Sequence, residues 1–361
     1  MVCSPPMNNK GQIKAVGLLS GGLDSTLAIR IMLEQGIEVT ALHFRTGFSY
    51  LERDRVAGRG PVGPSDAERA AAMLGVGLEV IDVSDEYLPL VCHPRYGYGS
   101  GMNPCVDCRI FLLRKAKAWM EAHGYHFVFT GEVVGQRPKS QMRPTLNIVE
   151  RESGLRGYLL RPLSAKLLKP TVPEQRGWVD RDKLYAISGR GRKEQIALAE
   201  RFGITDYPQP SGGCCYLIDQ TYSRRLRDFL AREGPGALTR EQVQLLALGR
   251  HLRLSSGCKI VVGRHKRENE YLETCGVEGV LLTTVDHPGP TTLVPGRPAR
   301  GEIELAARIT AGYSDGKHEH FVRVEMRRDS GQEARGRMQD ARFEVLTVEP
   351  MVLEEMQALM V

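Results

Sequence analysis

Two sets of residues in this chain have the types and spacing to do chemistry. The first is the stretch 18–26, LLSGGLDST, which closes an apolar run (13–19) and opens a helical pattern (25–35). Gly21 and Gly22 lack Cβ atoms, so the backbone there turns sharply and approaches a ligand closely. Such a turn leaves N–H groups free at a helix N-terminus, where the helix dipole favours an anion. Leu19, Ser20, Gly21, Gly22, Asp24, Ser25 and Thr26 are therefore candidate phosphate-binding residues, with hydroxyl donors at Ser20, Ser25 and Thr26. An acid at Asp24, beside a phosphate site, makes sense if it holds Mg²⁺ or a ribose hydroxyl.

The second set is drawn from the eight cysteines. Cys105 and Cys108 form a CxxC directly ahead of a basic amphipathic helix (109–123). Two thiols at a helix start lie near partial positive charge, which should lower their pKa. Cys214 and Cys215 follow two glycines far along the chain, and Cys214 could supply a third ligand across the fold. Three readings stay open. Cys105, Cys108 and Cys214 could hold a [4Fe–4S] cluster whose fourth iron is open. Without metal, one cysteine could carry a persulfide and another attack it, leaving a disulfide. Or the thiols are plain core residues. A closed zinc site would want a fourth ligand, and no second CxxC or nearby HxxxH supplies one.

The elements needed to position these residues follow a βαβ rhythm. Strand patterns at 13–19, 39–44, 77–83 and 125–130 alternate with helical ones at 25–35, 65–74 and 109–123, with Ser65 as N-cap and Glu68 three residues on. This specifies an α/β parallel sheet with right-handed crossovers. Ligands of such sheets bind at the carboxyl ends of the strands. His43 and Phe44 end the second strand, where adenine or ribose is expected, although His43 fits equally as a histidine packed under a loop. Thr130 and Gly131 end the fourth, followed by VVGQRPKSQMRP with Arg137 and Lys139. Stretches 46–64 and 86–102 read as irregular. Residues 146–152 read as a helix and 157–160 as a strand. After a helical stretch (221–250) broken at EGPG, the pattern changes to short alternating strands at 258–263, 280–284, 303–311, 319–325 and 341–347, an antiparallel β-rich α+β domain. The expected division is 1–222, a helical linker 223–252, and 253–361.

The chain has 361 residues, 42% hydrophobic and 25% charged, with a net charge of +6. That is ordinary globular composition, and the positive balance permits a nucleic-acid partner. No apolar run reaches membrane-spanning length, and the start, MVCSPPMNNKGQ, lacks the apolar core of a signal peptide, so the expected compartment is the cytoplasm.

SGGLDS at the end of a buried strand resembles the pyrophosphate-binding loop of N-type ATP pyrophosphatases (PP-loop, adenine nucleotide alpha hydrolase-like). Together with NPCVDC, TGEVVGQRPKSQ, GRKEQIALAERFGI and the late SGGC, it resembles the tRNA thiouridine synthetases over residues 12–220. TGEVVGQ and GRKEQIALAERFGI are similar to 4-thiouridine synthetases, and NPCVDC to 2-thiouridylases. The resemblance implies adenylation of a uridine carbonyl with ATP and Mg²⁺, then sulfur insertion, with position 4 slightly favoured over position 2. It implies Asp24, Cys105, Cys108 and Cys214 as catalytic residues. It also departs from the relatives: no THUMP-type domain precedes the first strand and no rhodanese-like domain follows. KIVVGRHKRENEYL and DHPGPTTLV resemble the RNA-binding domain of NFACT proteins, over about 255–350. There Arg264, Lys266 and Arg267 form a basic patch suited to RNA phosphates, and Tyr271 stacks or packs. The expected partners are tRNA, a sulfur donor (sulfide or a persulfide carrier) and a second copy in a homodimer. A small-molecule ATP pyrophosphatase would need neither the cysteines nor the basic module, and a non-catalytic RNA adaptor would not need Asp24.

Overall fold

The computed structural model describes residues 12–56, 63–208, 214–329 and 343–361. The chain folds as two compact units. One comprises Met1–Thr46 with Gly63–Cys214, the other Gly47–Val62 with Cys215–Val361. In chain order the first elements are β1 (Lys14–Leu18), α1 (Leu23–Leu33), β2 (Glu38–Arg45) and α2 (Tyr50–Val56), the last of these in the second unit. The first unit continues with α3 (Asp66–Leu74), β3 (Gly77–Asp82), α4 (Ser84–Cys92), α5 (Cys105–Ala122), β4 (Phe127–Phe129), α6 (Arg143–Glu152), β5 (Leu159–Leu160), α7 (Val172–Gln175) and α8 (Lys193–Arg201).

Its five strands lie in the order β3-β2-β1-β4-β5, and every pair is parallel. The central strand is a run of small and branched apolar residues, KAVGL, buried from Ala15 onward because helices cover both faces. α1 packs one face, where Leu27 and Ile29 are fully buried, and α5 packs the other through Ile110 and Leu113. β1 pairs with β2 on one side and β4 on the other, so the order reverses there. A crevice at the carboxyl ends of β1 and β4 is where such sheets bind ligands. The expected capping box at α3 is present: Ser65 Oγ accepts from the Glu68 N–H at 3.3 Å, and the Glu68 carboxylate accepts from the Ser65 N–H at 2.6 Å.

The second unit holds α9 (Gln220–Glu233), α10 (Arg240–Ala247), β6 (Arg250–Arg253), β7 (Lys259–Val262), α11 (Lys266–Thr274), β8 (Gly279–Thr284), β9 (Thr292–Pro295), α12 (Arg300–Gly312), β10 (Val322–Asp329), β11 (Phe343–Val348) and α13 (Leu353–Ala358). Its sheet runs β11-β10-β8-β9-β7-β6, all antiparallel, as expected of a β-rich α+β domain. α9 and α10, read from the sequence as a linker, belong to this unit. Phe48 of the Gly47–Val62 segment is fully buried there, its ring 5.7 Å from that of Tyr216.

Three local expectations are corrected. Residues 303–311, expected as a strand, lie in helix α12: Ile303, Ala306, Ala307 and Thr310 follow helical spacing and are all buried. The stretches 46–64 and 86–102, expected to be irregular, contain α2 and α4. Pro89 inside α4 masks its helical pattern.

Candidate functional site

The glycine turn begins where β1 ends. Gly21 takes a φ of +81°, and a Cβ there would lie 2.4–2.5 Å from the Asp66–Ala67 backbone, so only glycine fits. Gly22 is the N-cap of α1. Ser25 Oγ donates to the Gly22 carbonyl at 2.8 Å and lies 3.2 Å from Ser20 Oγ, a hydroxyl pair that fixes the turn. Thr26 was expected to offer its hydroxyl to a ligand. It is fully buried and donates instead to the Gly22 carbonyl at 3.1 Å, propping the turn from inside. Leu19 is buried, its N–H on the Leu42 carbonyl and its own carbonyl 2.9 Å from His43 Nδ1. His43 is thus pinned beneath the turn, and Phe44 packs partly buried against the α5 face.

Asp24 stands in the first turn of α1. Its Oδ2 accepts from Gln136 Nε2 at 2.7 Å and lies 3.6 Å from Arg192. Its Oδ1 is buried with no hydrogen-bond partner. An orphaned buried carboxylate oxygen beside a helix N-terminus suits a Mg²⁺ ion or a donor hydroxyl. Gly131 brings the end of β4 onto the same spot: a Cβ at Gly131 would come within 2.4–2.5 Å of the Asp24 carbonyl and the Ser25 nitrogen. Thr130 is buried, and its hydroxyl donates to Glu132 Oε2 at 3.2 Å.

The cysteines approach from the start of α5. Asn103 shapes the lead-in. Its carbonyl accepts from Gly99 and Cys105 N–H groups, its Oδ1 accepts from Gly101, and its Nδ2 lies 3.0 Å from Cys105 Sγ. Asp107 ties the preceding loop by accepting from the Arg95 and Tyr96 N–H groups, each at 3.0 Å. Cys105, Cys108 and Cys214 are close enough to feel one another's charge. The expected lowering of the thiol pKa is overturned. Burial, then the neighbouring Cys214, push the Cys105 thiol up, and the same two causes push Cys108 to about 12. Arg109 pulls both down, more weakly. Among the described residues, no three His, Cys, Asp or Glu side chains come together in a geometry that would hold a metal ion, so the arrangement of the three thiols does not fit a cluster.

Near the thiols, Arg109 begins a chain of charges, with Glu132 and Arg161 buried, that the motifs did not assign. Glu132, 2% exposed, lies 3.1 Å from Arg109 Nε through one oxygen and 3.0 Å from Arg161 Nε through the other. Burial alone would raise the Glu132 carboxyl, but Arg109 and Arg161 outweigh it and hold the group below its usual range. The signal was present in the sequence, an acid closing the TGE step at a strand end, but its partners come from elsewhere in the chain.

The expected RNA contacts divide. Arg137 lies near enough to Cys105 to favour its thiolate. Lys139 is held in a left-handed backbone conformation (φ +71°) with its ammonium on the Tyr98 carbonyl. In the second unit, the stretch read as a basic turn starts helix α11. Arg264 is clamped onto the buried Glu268 carboxylate (Nη2 to Oε1, 2.5 Å), which offsets its charge. Lys266 and Arg267 are exposed. Tyr271 packs rather than stacks, half-buried, its hydroxyl donating to Gln244.

Residues 13–174 match the family model described as the tRNA methyl transferase HUP domain, and residues 249–357 that of the NFACT protein RNA binding domain. The expected resemblance, a PP-loop thiouridine-synthetase-like domain followed by an NFACT-like one, is borne out. The chain is 30% identical over 240 residues to the tRNA-specific 2-thiouridylase MnmA of Nitratidesulfovibrio vulgaris, covering 63% of this chain and 62% of that protein. It is 39% identical over 106 residues to the tRNA-specific 2-thiouridylase MnmA of Syntrophotalea carbinolica, 27% of this chain and 29% of that one. The chain thus spans less than two thirds of the length of these curated relatives. Among solved structures, a 4-thiouridine synthetase in complex with RNA and bound ATP matches at 20% identity and a TM-score of 0.32, over 53% of this chain and 51% of that one.

Proposed function

We propose that this chain is an ATP-dependent tRNA sulfurtransferase acting in the cytoplasm. The observation that carries the reading is the meeting, at one end of the parallel sheet, of the Asp24 turn with the TGE strand end, whose Glu132 braces Arg109 beside the thiols. ATP lies on the turn at Ser20, Gly21, Gly22 and Ser25, against Gly131. Asp24, through its unpartnered Oδ1, would hold a Mg²⁺ ion, which would supply positive charge to the phosphates. The uridine carbonyl oxygen attacks the α-phosphate and pyrophosphate leaves. The Ser20 and Gly22 N–H groups, which rest on the Ser25 and Ser20 hydroxyls at 3.3 and 3.4 Å, turn to the nucleotide when it binds and, with Arg137, stabilise the developing charge. Sulfur then bonds to the activated carbon, and AMP departs with the oxygen. Delivered as sulfide, this sulfur needs no redox partner. Delivered as a persulfide on one of Cys105, Cys108 and Cys214, it is released by attack of a second cysteine, and the resulting disulfide is reset by an external thiol. The TGEVVGQ stretch supports position 4 of the uridine, and the names of the curated relatives support position 2.

The test is mass spectrometry of tRNA nucleosides after incubation with ATP and sulfide, prepared anaerobically. A thionucleoside that is lost in Asp24→Asn and Cys105→Ser is expected, and its identity assigns the position. ATP cleavage to AMP with no thionucleoside from any tRNA overturns the reading in favour of a small-molecule ATP pyrophosphatase. Iron and sulfide in stoichiometric amount in the purified protein would restore the cluster.

A further inference from the structure

The first unit contains a cavity of about 440 Å³ between α6, β5 and the 165–171 segment, lined by none of the glycine-turn residues. That volume lies within the range of small-ligand sites. Its floor is apolar: the half-buried Leu167 and Leu168 present the accessible surface, with the buried Leu146 and Leu159 packed behind them. Its carboxylates are already engaged. Glu150 accepts from the Gly157 N–H at 2.8 Å and lies 3.4 Å from Arg161, while Glu174 caps its own helix at Thr171 and pairs with Arg181. Arg143, Arg156 and Lys169 line the same cavity, are exposed, and join no described ion pair. Three uncompensated cations around an apolar floor suit a ligand with a flat apolar body and phosphate at its edge.

We propose that this cavity is a nucleotide subsite for the RNA substrate, with one base on the leucine floor and the flanking phosphates on Arg143, Arg156 and Lys169. This rests on the tRNA reading above. Two observations favour a strand over a free nucleotide. The cations stand on three separate segments, which suits a phosphodiester backbone crossing the rim better than one compact phosphate. Arg161, a lining residue, also grips the buried Glu132, whose other oxygen lies 3.1 Å from the half-buried Arg109, so the cavity connects through two ion pairs to the residue that follows Cys108.

The experiment measures binding of unmodified tRNA and of uridine monophosphate to the full chain and to the double variant Arg156→Gln/Lys169→Gln, over a series of salt concentrations. A fluorescent ATP analogue serves as the control for folding. The expected result is tRNA affinity weakened at least tenfold, a log–log salt slope shallower by roughly 1.4–1.8, and unchanged ATP-analogue binding. Wild-type protein that binds tRNA, with a double variant matching it in affinity and slope, overturns the inference alone. Wild-type protein that binds no tRNA but binds uridine monophosphate, with that binding lost in the variant, overturns the RNA source and the thiolation reading together.

Discussion

Asp24, in the first turn of α1, and Glu132, just past the end of β4, are both acids of the crevice, yet only the first has a role legible in the sequence. Asp24 stands inside a motif whose neighbours in sequence are its neighbours in space. Glu132 draws its meaning from Arg109 and Arg161, which only the folded sheet brings to it. The two respond differently to loss of charge. Asp24→Asn should lower ATP-dependent AMP formation by about 10²–10³-fold, while moving the denaturation midpoint little, since the amide oxygen still accepts from Gln136 Nε2, Oδ1 has no partner, and the Arg192 pair is long at 3.6 Å. Glu132→Gln should destabilise the chain by about 2–4 kcal/mol in urea titration, because it leaves Arg109 without its carboxylate and the buried Arg161 with only Glu150 at 3.4 Å. A third buried group reports on pH. His251 is fully buried, with Nε2 on the Leu245 and Leu248 carbonyls. Burial, then Arg225 and Lys259, hold it well below the ordinary histidine value. The unfolded chain therefore binds a proton that the folded one refuses. Stability should fall as pH drops below about 6.5, by up to about 1.4 kcal/mol per unit, and stay flat above. Melting of wild type and His251→Gln between pH 5 and 8 checks this, with the variant showing the smaller slope.

Among the elements, the strands flanking the turn were readable because each is a short apolar run bounded by glycine or polar residues, and α3 because its capping box is local. What sequence could not give was close approach between elements. Gly131 reads in the sequence as a ligand-binding strand end, but nothing there shows that a side chain on it would collide with the Asp24 carbonyl across the crevice. Gly131→Ala should cost roughly 1–3 kcal/mol in denaturant and, by shifting the start of α1, at least about tenfold in AMP formation. A variant that keeps full activity would show that the turn tolerates displacement. The same limit explains the thiols. A CxxC at a helix start promises lowered pKa values, whereas burial of that start beside Cys214 raises them. Helix α12 was misread for a different reason: Ile303 and Leu305 alternate locally, and only the longer spacing through Ala306, Ala307 and Thr310 reveals the helix.

For the molecule as a whole, the second unit is discontinuous in sequence. Phe48 and Tyr50 of the Gly47–Val62 segment pack on Tyr216, and Phe48 also meets Tyr222, so this unit is incomplete without a piece encoded inside the first. Phe48→Ala should lower stability by about 3–5 kcal/mol, and a 215–361 fragment should lose at least as much, seen as an earlier tyrosine-fluorescence transition in urea. A fragment as stable as the intact chain would make the segment dispensable. The discontinuity also sets a clock on biosynthesis. The Tyr216 hydroxyl meets the Gly47 carbonyl across 169 residues. At roughly 5–20 residues per second of translation, Phe48 leaves the ribosome some 8–34 seconds before its aromatic partners exist. During that interval an apolar side chain destined for the second unit's core lacks its native aromatic partners, which makes this segment of the nascent chain a site for chaperones to hold.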